Sequence, residues 1–201
     1  MKNLLNYQSS EFDCGPTSVT NAIRYLFERE EIAPCLLKHI WVMGNDTFCD
    51  EGQIGKHGTS KASMRYMADW MNSFGRGCKF PIAAKFLELE DAVIQPENET
   101  WKCLENGGCA VIRCVTGGIP HYVLLTGILS DTEIGVFDPY EEDPEFDEDS
   151  ACRVIDHQPR VMNRGVQYER FNQVEPLDYA MGERENREVL LIWRNDQMNM
   201  K

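Results

Sequence analysis

A cysteine near the start of the chain has the setting of a catalytic nucleophile. Residues 8–18 read QSSEFDCGPTS, so that Cys14 stands just before a Gly-Pro pair and a helical pattern. A thiol at a helix N-terminus faces the positive end of the helix dipole and several unpaired N–H groups, and both favour the thiolate. The same N–H groups can stabilise the oxyanion that forms when a thiolate attacks a carbonyl. Taken alone, the stretch is explained as well by a buried structural cysteine at a helix start.

Three further side chains could complete such a site. Gln8 is the only glutamine ahead of Cys14, and its amide could donate to an oxyanion. Of the four histidines, His121 alone opens a predicted buried strand, directly after a GGIP turn, which makes it the candidate base. Asp138 ends the next predicted strand, in FDPY, and could orient the imidazole. Each of these residues has an ordinary structural explanation, and the catalytic hypothesis depends on the set.

The hypothesis makes a geometric demand on the hairpin that joins His121 to Asp138. A tight two-residue turn in SDTE would pair Leu125 with Asp138, which leaves His121 roughly 13 Å away along the strand. That separation is too long for a hydrogen bond. A β-bulge or a wider turn must therefore shorten the offset, and Gly127 and Gly135 are the natural places for it.

Apolar residues at helical spacing predict three helices in the first half of the chain. The first, over residues 16–29, opens on a proline, so that Cys14 would lie just before it. The second begins after a proline and ends near Gly44. The third is capped by Ser60 and ends before Gly75.

The second half of the chain is typical of a sheet. A short helix over residues 100–108 precedes four apolar runs that predict strands, at 109–115, 121–129, 134–137 and 188–193. Because these runs are continuous rather than alternating, the strands should be central and covered on both faces. Helices followed by antiparallel strands predict an α+β fold.

The acidic composition argues against some classes of partner. The chain has 20 basic and 33 acidic residues, a net charge of -13, so nucleic-acid binding is not expected. No apolar run approaches the roughly 20 residues that cross a membrane. With no evident secretion signal, we expect a cytoplasmic protein whose eight cysteines are mostly reduced. The acidic stretch 141–149 is interpreted as a solvated loop.

Together these motifs resemble the papain clan of cysteine peptidases, and within it peptidase family thirty-nine of the cysteine class, which includes bacteriocin-processing peptidases. QSSEFDCGPTS matches the family's Gln, five residues, Cys-Gly-Pro-Thr/Ala-Ser pattern. LENGGCAVIRCVTGGIPHYVLLTGI is similar to its histidine strand with the strand before it, IGVFDPY resembles its Asp-Pro element, and VQYERFNQ is similar to the segment that follows. The match covers roughly residues 8–27 and 100–140. It implies a papain-like fold in one domain over residues 1–201, with residues 31–98 as a helical insertion.

The resemblance also implies roles for four residues. Cys14 would be the nucleophile and His121 the general base and acid. Asp138 would orient His121, and Gln8 would complete an oxyanion hole with the backbone N–H of Cys14. The implied activity is hydrolysis of peptide or isopeptide amide bonds in a peptide or protein substrate, with no cofactor and no metal.

Other interpretations stay open. Cys35 and His39 would share a helix face, and Cys49 and His57 follow in a loop, which would suit zinc although the usual short ligand spacing is missing. The chain could also be a non-catalytic module that binds a peptide in the cleft, or a transglutaminase-like acyltransferase. The complete Cys-His-Asp-Gln set favours an enzyme, since a site that no longer catalyses would be expected to lack one of these four residues. The sequence does not specify the oligomeric state.

Overall fold

The computed structural model describes residues 3–140 and 150–196, so the acidic stretch 141–149 lies outside the described residues. Its α-helices are α1 (Cys14–Leu26), α2 (Pro34–Gly44), α3 (Lys61–Cys78), α4 (Glu99–Glu105) and α5 (Tyr168–Phe171). Its strands are β1 (Ile82–Glu88), β2 (Cys109–Thr116), β3 (Ile119–Ile128), β4 (Glu133–Phe137), β5 (Cys152–Val154), β6 (Arg164–Gln167) and β7 (Glu188–Arg194). The strands pair antiparallel in one sheet of order β1-β7-β2-β3-β4-β6-β5, which confirms the α+β prediction. Each helix in this part of the chain is too short or too polar to span a bilayer.

The sheet separates two apolar cores. Along β2, β3 and β7, alternate side chains point to opposite faces, as strand geometry requires. One set, which includes Val111 and Leu124, packs with α1, α2 and α3. The other set, which includes Ile112 and Val123, packs with Trp101 of α4 and its neighbours. The prediction that these central strands are covered on both faces is confirmed.

Helix α1 begins two residues earlier than predicted. Asp13 is its N-cap and Cys14 its first residue, so the thiol belongs to the first turn rather than preceding it. The predicted start was wrong because proline is tolerated throughout the first turn, where backbone N–H groups have no partner within the helix. The helix ends at Leu26, since Phe27 is extended and buried.

Two hydroxyl groups fasten α1 to β3. Ser18 Oγ donates to the backbone oxygen of Tyr122 at 2.9 Å, and Tyr25 OH donates to that of Thr126 at 2.5 Å. The two donors are seven residues apart, about two helical turns, so they project from the same face of the helix. These bonds fix the position of α1 along β3, and therefore the position of Cys14 relative to His121.

A β-bulge interrupts the hairpin of β3 and β4. Leu125 pairs with Val136, whereas Gly127 pairs with Gly135, so Thr126 on β3 has no residue opposite it. The connecting turn is also one residue wider than a tight two-residue turn, as its closing backbone hydrogen bond shows. The β-bulge and the wider turn, which the catalytic hypothesis offers as alternatives, are therefore both present. The bulge lies next to Gly127, one of the two glycines predicted as its place.

These devices shorten the offset between His121 and Asp138. Phe137 pairs with Leu124, so Asp138 follows opposite Val123, two residues from His121 rather than four. Two residues of strand span roughly 7 Å, a gap that an imidazole and a carboxylate on the same face can close.

The segment 31–98, expected to be a helical insertion, carries a strand as well as helices. After α2 and α3, strand β1 pairs with β7 along its whole length, from Ile82 opposite Arg194 to Glu88 opposite Glu188. The helical expectation was wrong for β1 because a strand at a sheet edge, half exposed and rich in alanine, has a weak apolar pattern. That the segment is an insertion relative to a family stays a prediction. Strands β5 and β6 were also missed, since each is too short to show a period.

Helix α3 runs through Gly75, where the sequence predicted its end. It continues to Cys78, and Lys79 closes it in the left-handed conformation with φ of 54°. A Cβ atom at position 75 would lie 2.6 Å from the backbone oxygen of Ile82. Gly75 therefore allows β1 to approach the helix closely and does not terminate it.

Candidate active site

The four residues singled out in the sequence line one cavity. Gln8, Cys14, His121 and Asp138 all border a space of about 480 Å³, together with the turn between β2 and β3. Cys14 packs with the apolar core on the α1 side of the sheet, whereas His121 lies on the other face by the alternation of β3. The cavity therefore lies where the two layers meet at the end of the sheet.

His121 stands between Cys14 and Asp138. Its Nε2 donates to Asp138 Oδ1 at 2.7 Å, and Cys14 is near enough for its side chain to contribute to the pKa of the imidazole. Since Nε2 faces the carboxylate, Nδ1 is the atom left for the sulfur. Burial alone would lower the pKa of His121, but the hydrogen bonds and charges of Asp138 and Cys14 raise it to about 10. The imidazole is therefore protonated at neutral pH.

Asp138 is a buried carboxylate with three donors. Oδ1 accepts from His121 Nε2 and from the backbone N–H of Tyr140 at 2.9 Å, and Oδ2 accepts from Tyr179 OH at 3.0 Å. Burial would raise the pKa of Asp138, but the bonds from His121, Tyr140 and Tyr179 hold it below its ordinary value. Asp138 is therefore ionised at neutral pH although only 5% of its surface is exposed.

The backbone of Asp138 is fixed by a second buried residue, Asn163. The N–H of Asp138 donates to Asn163 Oδ1, and Asn163 Nδ2 donates to the Asp138 carbonyl, both at 2.8 Å. Neither Asn163 nor Tyr179 was anticipated from the sequence. They lie 25 and 41 residues beyond Asp138, in segments without a chemical motif, and no local signal could have identified them.

Cys14 occupies the first turn of α1 and is only 6% exposed. After the Asp13 N-cap, the first turn contains no acidic residue. The next residue must be a glycine, because a Cβ at Gly15 would lie 2.1 Å from Thr59 Oγ1. The loop before α3 thus packs directly against the helix start that carries the thiol.

Gln8 is held beside the Asp138 element by main-chain and side-chain bonds. Its backbone N–H donates to the Pro139 carbonyl at 2.8 Å, and its Nε2 donates to the Ser10 carbonyl at 2.8 Å. One amide hydrogen is used by Ser10, which fixes the plane of the amide, and the second is left for another acceptor. Its Oε1 is buried with no hydrogen-bond partner among the described residues. The oxyanion role of Gln8 stays a prediction.

The residues considered for zinc are not arranged as a metal site. The His39 ring stacks on Trp70 with centroids 3.9 Å apart and contacts Tyr66 OH, while Cys35 is exposed. Over residues 3–140 and 150–196, no three His, Cys, Asp or Glu side chains are grouped in a way that could hold a metal ion. All eight cysteines are free thiols.

Comparison with known proteins gives little that bears on function. No protein-family model matches the sequence, and no curated protein matches it. Among solved structures, the chain is similar to the peptidase domain of ComA from Streptococcus mutans, with 14% identity and a TM-score of 0.43 over 94% of this chain and 98% of that domain. Similarity at this level assigns no activity, so the function of this chain must be inferred from its own side chains.

Proposed function

We propose that this protein is a cysteine-dependent acyl-transfer hydrolase of papain-like architecture that acts on peptide or isopeptide amide bonds. The observation that carries the proposal is the 2.7 Å hydrogen bond from His121 Nε2 to Asp138 Oδ1 in the cavity that Cys14, the first residue of a helix, also lines. A nucleophile, a base and a group that orients the base are the three parts of this kind of site.

In the proposed reaction, the Cys14 thiolate attacks the substrate carbonyl and its sulfur bonds to the carbonyl carbon. The resulting oxyanion is held by the Cys14 backbone N–H and by the free amide hydrogen of Gln8. The His121 imidazolium then gives its proton to the leaving amine as the C–N bond breaks, which leaves a thioester on Cys14. Neutral His121 next removes a proton from water, and the resulting hydroxide attacks the thioester. The C–S bond breaks, which releases a carboxylic acid and restores the Cys14 thiolate beside the His121 imidazolium.

The pKa of His121 suits both halves of this cycle. In the resting state the interactions with Asp138 and Cys14 raise that pKa to about 10, so the imidazole begins as an acid. Acylation removes the charge on the sulfur and with it one cause of the raised pKa. His121 therefore holds its proton less tightly in the thioester stage, when a base is needed.

Alkylation of the native protein with iodoacetamide at pH 5–6, read by peptide mass spectrometry, tests the proposal. Cys14 should react fastest of the eight thiols although it is buried, whereas Cys35 and Cys78 are exposed and serve as internal controls. His121→Ala should abolish the advantage of Cys14. If the reactivity of the eight thiols simply follows their exposure and His121→Ala does not change it, the proposed enzymatic function is contradicted. That result would favour a peptide-binding module.

Product analysis separates the two enzyme outcomes. With a peptide library as substrate, hydrolysis adds water to the acyl fragment, whereas a transglutaminase-like reaction attaches an added primary amine. We expect the hydrolytic product to dominate, and an amide product formed in preference to the acid would redefine the protein as an acyltransferase.

A further inference from the structure

Tyr179 bonds to the one carboxylate oxygen of Asp138 that His121 leaves free. Its hydroxyl donates to Asp138 Oδ2 at 3.0 Å, while Oδ1 receives His121. The side chain is 2% exposed and borders the same cavity as Cys14. The two oxygens of Asp138 therefore have different fixed donors, which defines the rotation of the carboxylate about its Cβ–Cγ bond.

The backbone at Tyr179 is held in an unfavourable conformation. Its φ of 67° is in the left-handed region, which is unfavourable for a bulky residue. The chain is pinned there by a bond from Tyr179 N–H to the Val115 carbonyl at 2.6 Å and one from Val115 N–H to the Ala180 carbonyl at 2.9 Å. These bonds tie the segment to Val115, past the last residue of β2 that pairs with β7.

The residue before Tyr179 fixes the strand that carries His121. Asp178 Oδ1 accepts from the backbone N–H of Gly117 at 2.8 Å, in the turn that leads into β3. Consecutive residues thus hold the turn before His121 and the carboxylate that His121 contacts. A displacement of this segment would disturb both partners of the His121–Asp138 bond at once.

A buried arginine fastens the segment at both ends. Arg187 Nε donates to the Gly182 carbonyl at 2.8 Å, and its Nη2 donates to the Asn172 carbonyl at 2.6 Å. Asn172 is itself tied to the backbone of Ile94 by two side-chain bonds. The segment 173–181, which contains Tyr179, is therefore held at both of its ends.

We infer that Tyr179 is a positioning residue of the proposed reaction: its hydroxyl fixes the rotation of the Asp138 carboxylate, so that Oδ1 faces His121 Nε2 and the imidazole keeps its other nitrogen toward Cys14. This inference rests on the proposed function. Without the hydroxyl, Oδ2 would be a buried charged oxygen with no described donor. The carboxylate would then turn to recover one, and the imidazole would lose its fixed partner.

The test compares Tyr179→Phe with Tyr168→Phe, a half-buried tyrosine on α5 that packs edge-on against Trp101 away from the cavity. The rate of Cys14 alkylation by iodoacetamide is measured from pH 4 to 10. Loss of a hydrogen bond to a charged group predicts that Tyr179→Phe lowers the rate at pH 6 by about 10- to 100-fold. Its low-pH limb should move to higher pH, because Asp138 loses a donor that favours its ionised form. Tyr168→Phe should change neither.

A double-mutant cycle separates positioning from general loss of stability. In an Asp138→Ala background, where no carboxylate remains to be oriented, Tyr179→Phe should have no further effect on the rate. An equal loss in both backgrounds, or a wild-type pH profile in Tyr179→Phe, would overturn the inference. If Tyr179→Phe does not fold, replacement of Tyr179 by 3-fluorotyrosine keeps the shape and alters donor strength, and an unchanged low-pH limb would then overturn it.

The two hypotheses fail in different ways. If wild-type Cys14 shows no alkylation advantage that depends on His121, the proposed function is wrong and the Tyr179 inference falls with it. If wild-type Cys14 has that advantage and Tyr179→Phe retains it fully, the Tyr179 inference alone is wrong.

Discussion

Asp138 accepts a hydrogen bond from His121 at 2.7 Å although 17 residues separate the two in the sequence. The contact exists because the bulge at Thr126 and the wider turn between β3 and β4 each shift the pairing by one residue and together bring Asp138 opposite Val123. In a regular hairpin with a tight turn, the two side chains would be roughly 13 Å apart along the strand. The bulge is itself held by the bond from Tyr25 OH on α1, the helix that also carries Cys14.

Asp138→Asn should weaken the nucleophile without unfolding the protein. An amide of the same size carries no negative charge to stabilise the His121 imidazolium, so the pKa of His121 should fall. At mildly acidic pH, Cys14 should then lose the positively charged imidazolium that favours its thiolate. We expect Cys14 alkylation at pH 6 to slow by about 10- to 100-fold, the usual value of a hydrogen bond to a charged group. Asp131→Asn, an exposed change in the turn of the same hairpin, is the matched control and should leave the rate unaltered.

Gln8→Ala should separate turnover from thiol reactivity. Alkylation by iodoacetamide forms no oxyanion, so the rate at Cys14 should stay within a factor of two or so of wild type if Gln8 acts only on the oxyanion. Removal of an oxyanion donor raises the barrier by about 2.7–4 kcal/mol, so turnover of an amide substrate should fall on the order of 10²- to 10³-fold. Intact turnover would remove Gln8 from the site, and an equal loss in both assays would point to a structural role.

The stability of the protein should depend on pH through the buried His121–Asp138 pair. His121 has a folded-state pKa of about 10, above its ordinary 6.5, so its contribution is full below about pH 6.5 and is lost as pH rises toward 10. The pKa of Asp138 is lowered, so its contribution is present above its ordinary value near 3.8 and is lost as the pH falls through the lower folded-state pKa. The pair therefore stabilises most between about pH 4 and 6.5.

Urea unfolding of wild type and His121→Gln at pH 6, 8 and 10 measures this dependence. The difference in free energy of unfolding between the two proteins should shrink steadily from pH 6 to pH 10. His39→Gln is the control, because burial lowers the pKa of His39 and confines its pH-dependent contribution to below about pH 6.5. A His121→Gln difference that stays constant with pH would show that the imidazole is neutral in the folded protein.

Gly15→Ala and Gly77→Ala should change stability in opposite directions. A Cβ at position 15 would lie 2.1 Å from Thr59 Oγ1 and 2.7 Å from Thr59 Cβ, whereas nothing lies within 4 Å of a Cβ at position 77. Overpacking predicts a loss of about 1–3 kcal/mol for Gly15→Ala. The higher helix propensity of alanine predicts a gain of up to about 1 kcal/mol for Gly77→Ala in α3.

Thermal and urea unfolding of the two variants measure these changes. Because Gly15 adjoins the nucleophile, Gly15→Ala should also slow Cys14 alkylation, while Gly77→Ala should not. Equal stability of the two variants would mean that the loop around Thr59 yields easily and does not hold the start of α1.

The elements that carry the candidate site could be read from local patterns. The helix that begins near Cys14, the strand that holds His121 and the strand that ends before Asp138 each lie within a short run of apolar residues bounded by proline or glycine. Such periods arise from the backbone geometry of a single element and need no knowledge of its partners. Counting residues along the predicted hairpin between His121 and Asp138 likewise predicted a bulge or a wider turn.

What the tertiary structure decided are the contacts between distant segments. Residues 82–88, IAAKFLE, form strand β1 because they pair with β7. No pattern within this segment specifies that pairing. Tyr179 and Asn163 reach Asp138 from segments 41 and 25 residues away, and Arg187 holds one of those segments in place. A side chain's neighbours across the sheet depend on how the whole chain packs, whereas the period of a helix or strand depends only on its own backbone. The sequence therefore determined the elements that carry the proposed nucleophile and base, and only the packed fold determined what surrounds and orients them.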